Sequence, residues 1–82
     1  MIQTTVINES LVVRLKIKEA SLNQSDQFKQ ELFSLLDTGN QRLVIDLQEV
    51  TYIDSSFLGA LVAALKHALS QKADIVLANL NK

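Results

Sequence analysis

The residues with the clearest chemical potential are a carboxylate and two hydroxyls in succession, Asp54, Ser55 and Ser56. They follow a predicted buried strand and stand directly before an apolar stretch with the spacing typical of a helix. The N–H groups of a first helical turn lack partners within the helix, and they carry the positive end of the helix dipole. A phosphate group is therefore stabilised at such a position.

Two interpretations of this segment remain open on local grounds. In the first, Asp54 or Ser55 is an N-cap of the helix, a common role for both residue types. In the second, Ser55 is a phosphorylation site, with Ser56 as the second choice. A phosphate would add about −1.5 to −2 charges beside Asp54. The helix end would tolerate that charge, whereas an acidic or closely fitting partner surface would not.

Other kinds of active site find little support in the sequence. His67 is the single histidine, and it is predicted on the exposed side of the second helix, about three turns from Ser55. There is no G-x-S-x-G elbow and no glycine-rich phosphate loop. One histidine and no cysteine leave few of the usual metal ligands. We therefore expect no catalytic residue, no cofactor and no metal, and hence no enzyme.

Composition limits the partners and the compartment. The chain has 82 residues, eight basic and nine acidic, and a net charge of −1, which gives no electrostatic footprint for nucleic acid or an anionic membrane. No apolar run is long enough to span a bilayer, and no secretory signal is visible. The absence of cysteine fits a cytoplasmic setting. We expect a cytoplasmic domain that binds neither nucleic acid nor membranes.

The hydrophobic pattern predicts one α/β domain over residues 1–82, a mixed four-stranded sheet in the order β-β-α-β-α-β with helices packed against it. A hairpin comes first, with a turn at Asn8. The predicted elements are strands at 2–7 and 11–18, a helix from Asn23 or Ser25 to Gly39, a strand at 42–47, a helix at 56–70 and a strand at 74–80.

The second helix is apolar on two sides. Its bulky residues share one stripe, which predicts the buried face: Leu58, Leu61, Val62, Leu65 and Leu69. The opposite side is small and apolar, which is explained either by the helix propensity of alanine or by a docking surface. On the second interpretation Phe57, Gly59, Ala60 and Ala63 bind a protein partner beside Ser55.

Asp46 ends the predicted buried strand at 42–47. Its carboxylate either caps backbone N–H groups in the following connection or supports the switch through a hydrogen-bond network.

The segment from Val44 to Leu65 resembles the signature of STAS domains, the family of sulfate transporters and anti-sigma factor antagonists. Asp46 matches the Asp that ends the family's strand, and Ile53-Asp54-Ser55-Ser56 matches its core motif. Leu58-Gly59-Ala60-Leu61 matches the residues that follow. The element order also agrees, so the resemblance covers nearly the whole chain.

The resemblance implies a bacterial signalling role in transcription regulation, with Ser55 as the phosphorylation site and Asp54 beside it as support. An unphosphorylated antagonist binds an anti-sigma factor that is also a serine kinase. Phosphorylation by that kinase ends the interaction, and a cognate phosphatase restores it. The alternative is a non-switched STAS accessory or scaffold subunit of a transport or signalling complex.

The chain departs from the family pattern in three places. Phe57 stands where the family has a glycine, and the stretch 19–23 lacks the Asp that members often carry near the phosphorylation site. Family domains also usually continue for another helix beyond the segment that ends here at Lys82. We therefore expect part of the sheet or of the second helix to be covered by self-association, as in a homodimer, or by the partner.

Overall fold

A mixed four-stranded sheet forms the centre of the fold in the computed structural model, which describes residues 1–79. The elements are β1 Ile2–Ile7, β2 Ser10–Leu15, β3 Glu19–Ala20, α1 Leu22–Asp37, β4 Arg42–Asp46, β5 Tyr52–Ile53, α2 Ser55–Ser70 and β6 Asp74–Ala78. The four strands of the sheet lie in the order β1-β2-β4-β6, with β1 and β2 antiparallel and the β2–β4 and β4–β6 pairs parallel. The predicted α/β class and the mixed sheet are confirmed.

The two faces of the sheet differ in burial. Aligned residues Val13 and Ile45 are fully buried with the helices in one core. On the opposite face the aligned residues Val12, Val44 and Val76 are only half-buried or exposed. This contrast places both helices on one face. Leu80, the end of the last predicted strand, lies outside the described residues.

A second, two-stranded sheet was not predicted. β3 and β5 pair in parallel, with Glu19 opposite Tyr52 and Ala20 opposite Ile53. Each strand is only two residues long, so neither produces a detectable alternation in the sequence. This pairing brings the N-termini of the two helices together, because a single residue separates β3 from α1 and a single residue separates β5 from α2.

Helix α1 confirms the first predicted helix, and its apolar residues at helical spacing face the core, with Phe28, Leu32 and Leu36 buried. Its N-cap is Ser21, not Asn23 or Ser25. The amide N–H and the hydroxyl of Ser21 both donate to Oε1 of Gln24, at 3.0 and 2.9 Å. This interaction places the N-cap of α1 two residues before Asn23 and four before Ser25.

The buried face predicted for α2 is wrong. Of the five bulky residues in the predicted stripe only Leu61 is buried, and the others are exposed by 37 to 61%. Small side chains spaced four residues apart face the core and allow α2 to approach α1 and the sheet closely. The buried residues are Phe57, Ala60, Leu61, Ala64 and Ala68.

Candidate functional site

Asp54 connects the N-termini of both helices. Its Oδ1 accepts a hydrogen bond of 2.9 Å from the N–H of Phe57, in the first turn of α2. Its Oδ2 accepts one of 2.9 Å from the N–H of Leu22, the first residue of α1. The N–H of Asp54 donates to the carbonyl of Ala20 at 3.0 Å, which extends the β3–β5 contact. The predicted capping role is confirmed for Asp54, and it serves two helices.

Ser55 and Ser56 are the first two residues of α2, and both are exposed. Within residues 1–79 neither hydroxyl makes a hydrogen bond to another protein group. Asp54 makes no hydrogen bond to the hydroxyl of Ser55, and its two oxygens accept from the backbone N–H groups of Leu22 and Phe57. The Ser55 hydroxyl is therefore accessible and unpaired, beside a carboxylate that is held in place.

A shallow groove of about 310 Å³ lies between the first halves of α1 and α2. Ser56, Gly59 and Ala63 line it from α2, and Lys29 from α1. A Cβ placed on Gly59 would meet no atom within 4 Å, so this part of the groove is open. Of the predicted partner-binding residues, Gly59 and Ala63 thus lie at an accessible surface near the two serines.

The prediction that Phe57 contacts a partner is wrong for this fold. Phe57 is fully buried and stacks on Phe28, with ring centroids 4.6 Å apart. Ala60 is only 6% exposed, but it lines the groove together with Gly59 and Ala63. Because the Phe57 ring points into the core, replacing the family's glycine places no bulk on the surface beside Ser55.

Asp46 is held on the other face of the sheet. It accepts from the amide of Asn79 at 2.9 Å, from the N–H of Gln48 at 3.0 Å and from Nε of Arg14 at 3.2 Å. The hydrogen bond from Asn79 is the main cause that lowers the pKa of Asp46 below its ordinary value, and Gln48 and Arg14 add to it. The predicted cap of the following connection is confirmed. None of these bonds reaches Asp54 or Ser55, so the structure shows no shared network.

His67 lies near the C-terminal end of α2, away from the serines. It is half-buried, because its ring stacks on Phe33 with centroids 4.2 Å apart. Its Nε2 is 2.8 Å from Oδ1 of Asp37, which also accepts from the amide of Gln71 at 2.6 Å. The hydrogen bond with His67 is the main cause that lowers the pKa of Asp37. These contacts join the ends of the two helices.

No group of three or more His, Cys, Asp or Glu side chains within residues 1–79 is arranged to hold a metal ion. No helix there is both long and apolar enough to cross a membrane.

Comparison with known proteins places this geometry in a family. The family model described as "Mlab, STAS domain" matches residues 8–82, which include both helices and the Asp54-Ser55-Ser56 segment. The chain belongs to the STAS domain family. The predicted resemblance is thereby confirmed, and the STAS motif falls on the junction where Asp54 caps both helices.

Solved structures show the same STAS fold. The unphosphorylated anti-sigma factor antagonist SpoIIAA matches with a TM-score of 0.80 at 18% identity, over 100% of this chain and 76% of that one. Phosphorylated SpoIIAA from Bacillus gives 0.78 at 18% identity, over 99% and 74%. A protein from Thermotoga maritima described as an anti-sigma factor antagonist gives 0.88 at 24% identity, over 99% and 69%.

Proposed function

We propose that this STAS domain is a phosphorylation-switched protein-interaction domain of the anti-sigma factor antagonist type. In this proposal the unphosphorylated chain binds an anti-sigma factor that is also a serine kinase, and phosphorylation of Ser55 ends the binding. A cognate phosphatase reverses it. The chain is then a cytoplasmic substrate of signalling enzymes and not itself an enzyme.

The observation that carries the proposal is the state of the Ser55 hydroxyl. It is exposed and makes no hydrogen bond within residues 1–79, while the adjacent Asp54 is fixed by two backbone N–H groups. A kinase thus reaches the hydroxyl without breaking an interaction that holds the fold. The STAS fold of SpoIIAA is similar to this chain in both phosphorylation states, with TM-scores of 0.80 and 0.78, which supports a switch that preserves the fold.

A phosphate on Ser55 would act on the surface and not on the core. It would stand at the start of α2, where the dipole supplies roughly half a positive charge. Ser55 is adjacent in the sequence to Ser56, which lines the groove between the helices. The added charge of about −1.5 to −2 would therefore meet any partner that enters this groove. A partner surface that is acidic or closely packed there would be repelled.

The experiment that tests the proposal combines modification with binding. The chain is incubated with the cognate anti-sigma factor kinase and ATP, and we expect a mass gain of one phosphate. Ser55→Ala should abolish that gain, whereas Ser56→Ala should keep it. In binding assays without ATP, Ser55→Asp should weaken the complex.

Ser34→Asp is the matched control, because Ser34 is exposed on α1 in the half away from the groove. It adds the same charge and should bind as the wild type does. Equal binding by Ser55→Ala and Ser55→Asp would contradict the switch.

One observation favours a second candidate, a non-switched accessory or scaffold subunit. Within residues 1–79 no cationic side chain is bonded to Ser55 or Ser56, and Lys29, which lines the groove with Ser56, makes no hydrogen bond to either serine. For such a subunit we expect a constitutive partner and no turnover of phosphate. Recovery of transport ATPase or permease subunits together with the unmodified chain would support it.

A further inference from the structure

The side of α2 that turns away from the core forms an apolar face together with β6. This α2–β6 face consists of Leu58, Val62, Leu65 and Leu77, and Leu69 extends it toward the end of α2. Together with Leu61, the first four border a shallow groove of about 160 Å³ that is lined by leucine and valine residues only. The exposed fractions of the five residues together equal more than two fully exposed aliphatic side chains.

Among residues 1–79 the outer backbone edge of β6, beside this face, pairs with no other strand, and its Ile75 N–H donates to Oδ1 of Asp74 at 2.9 Å. β6 is the last strand in the sheet order and pairs only with β4 among the described residues. Exposed edge strands are usually protected by lysine, proline, a bulge or an inward-pointing charge. The centre of β6, Ile75-Val76-Leu77, has none of these residue types and is entirely apolar, and its one charged residue is Asp74 at the start of the strand. The centre of the other edge strand, β1, is polar, with Gln3-Thr4-Thr5.

We propose that two copies of this chain associate about a two-fold axis at β6. The two β6 strands pair antiparallel, and the two α2–β6 faces pack against each other. The sheet then continues through the interface as eight strands. This proposal goes beyond the phosphorylation switch and does not depend on it.

The sequence of β6 is self-complementary, as a two-fold interface requires. When the pairing is centred on Val76, Ile75 stands opposite Leu77 of the other copy, and Asp74 stands opposite Ala78. No charge then faces a like charge, and apolar side chains face apolar side chains on both surfaces of the extended sheet.

A second copy explains both open features with one contact. The face offers no charged or hydrogen-bonding side chain that would select a different partner. Its apolar stripe alone is within the range that a monomer exposes, on the order of 300–600 Å². Pairing the five-residue edge adds backbone hydrogen bonds and brings the contact near the lower limit of stable interfaces, about 1,200 Å² in total.

The proposed interface leaves the candidate functional site free. At 3.6 residues per turn the stripe is centred about 140° around α2 from Ser56 and Ala63, which line the groove with α1. A dimer therefore presents two accessible grooves.

Sedimentation of the chain from 1 to 200 µM tests the proposal. We expect a mass twice the 9.1 kDa of the chain at the higher concentrations. Val76→Glu and Val76→Lys each place two like charges opposite each other at the axis, so each variant alone should dissociate at least tenfold more readily. An equimolar mixture of the two should restore the dimer, because opposite charges then meet.

Val6→Glu is the matched control. Val6 is 71% exposed on the other edge strand, and this variant should dimerise like the wild type. Val62→Glu, on α2, should also dissociate the dimer. It replaces the β6 variants as the test if they do not give the circular dichroism spectrum of a folded protein.

A wild-type chain that stays monomeric at 200 µM would overturn the proposal. The α2–β6 face would then have to be covered by another protein or by a further segment of the same chain. A dimer that persists in both Val62→Glu and the folded Val76 variants would overturn it as well.

Discussion

Replacing Asp54 by alanine should destabilise the domain far more than the loss of one exposed cap. Its carboxylate accepts from the N–H of Leu22 and from the N–H of Phe57, both at 2.9 Å, so one substitution removes a cap from each helix. Loss of a single cap typically costs about 1 kcal/mol, and hydrogen bonds to a charged group contribute about 1.5–3 kcal/mol. We expect Asp54→Ala to cost about 2–4 kcal/mol.

That cost is a large part of the total for a domain of this size. A chain of 82 residues is stable by roughly 4–12 kcal/mol, and each kcal/mol shifts the Tm by about 4–8 °C. Urea unfolding followed by far-UV circular dichroism should therefore show a much lower midpoint, and the Tm should fall by at least about 8 °C. Asp54→Asn should recover about half of the loss, because an amide offers one acceptor oxygen and not two.

Asp26→Ala is the control for this measurement. Asp26 is exposed on α1, and no hydrogen bond or ion pair to its side chain is found within residues 1–79, so its removal should cost less than about 0.5 kcal/mol. If Asp54→Ala and Asp26→Ala unfold at the same urea concentration, the double cap does not stabilise the fold as described here.

Three other perturbations have defined outcomes. Gly59→Ala should raise the free energy of unfolding by about 0.5–1 kcal/mol, since the new Cβ meets no atom within 4 Å; a lower urea midpoint would contradict this. Phe57→Ala should cost about 3–5 kcal/mol because it empties a buried site and removes the stack on Phe28; a near-wild-type Tm would show that the ring is not in the core. Asp46 has a folded-state pKa below its unfolded value, chiefly because of the Asn79 hydrogen bond, so its stabilisation is complete above about pH 5 and is lost as the pH falls below about 4. Urea midpoints measured from pH 7 to pH 3 should fall less steeply for Asp46→Asn, and an equally steep fall would exclude this carboxylate as a cause.

The four-stranded sheet and α1 could be predicted because the hydrophobic pattern of each element allows only one side to face the core. Strand β2 alternates with Val13 and Leu15 inward and Arg14 outward, and the structure has this arrangement. Helix α1 carries one stripe, with Phe28 and Leu32 at its centre, so only one face is suitable for the core.

Helix α2 could not be oriented in the same way because it is apolar on two sides. The prediction buried the bulkier side, as is usual for an amphipathic helix. The structure instead buries Phe57 together with the alanines at 60, 64 and 68, whose small side chains permit close packing. The regular spacing of those alanines by four residues was the signal for the buried side, and one interpretation of the sequence instead placed Ala60 at a docking surface.

The double cap was invisible for a different reason. Asp54 and Leu22 are 32 residues apart in the sequence. They meet only because the two-residue strands that precede them, β5 and β3, pair with each other. Local patterns identified Asp54 as a cap of the helix that follows it. They contain no information about a second helix that begins so far away along the chain.

The role of Ser55 is tested most directly by one comparison of affinity. The same anti-sigma factor is titrated calorimetrically with unphosphorylated chain and with chain stoichiometrically phosphorylated at Ser55, without ATP. We expect the phosphorylated chain to bind at least tenfold more weakly, a difference of about 1.4 kcal/mol or more, while both samples show the same circular dichroism spectrum. Equal affinities for the two forms would contradict the proposed switch.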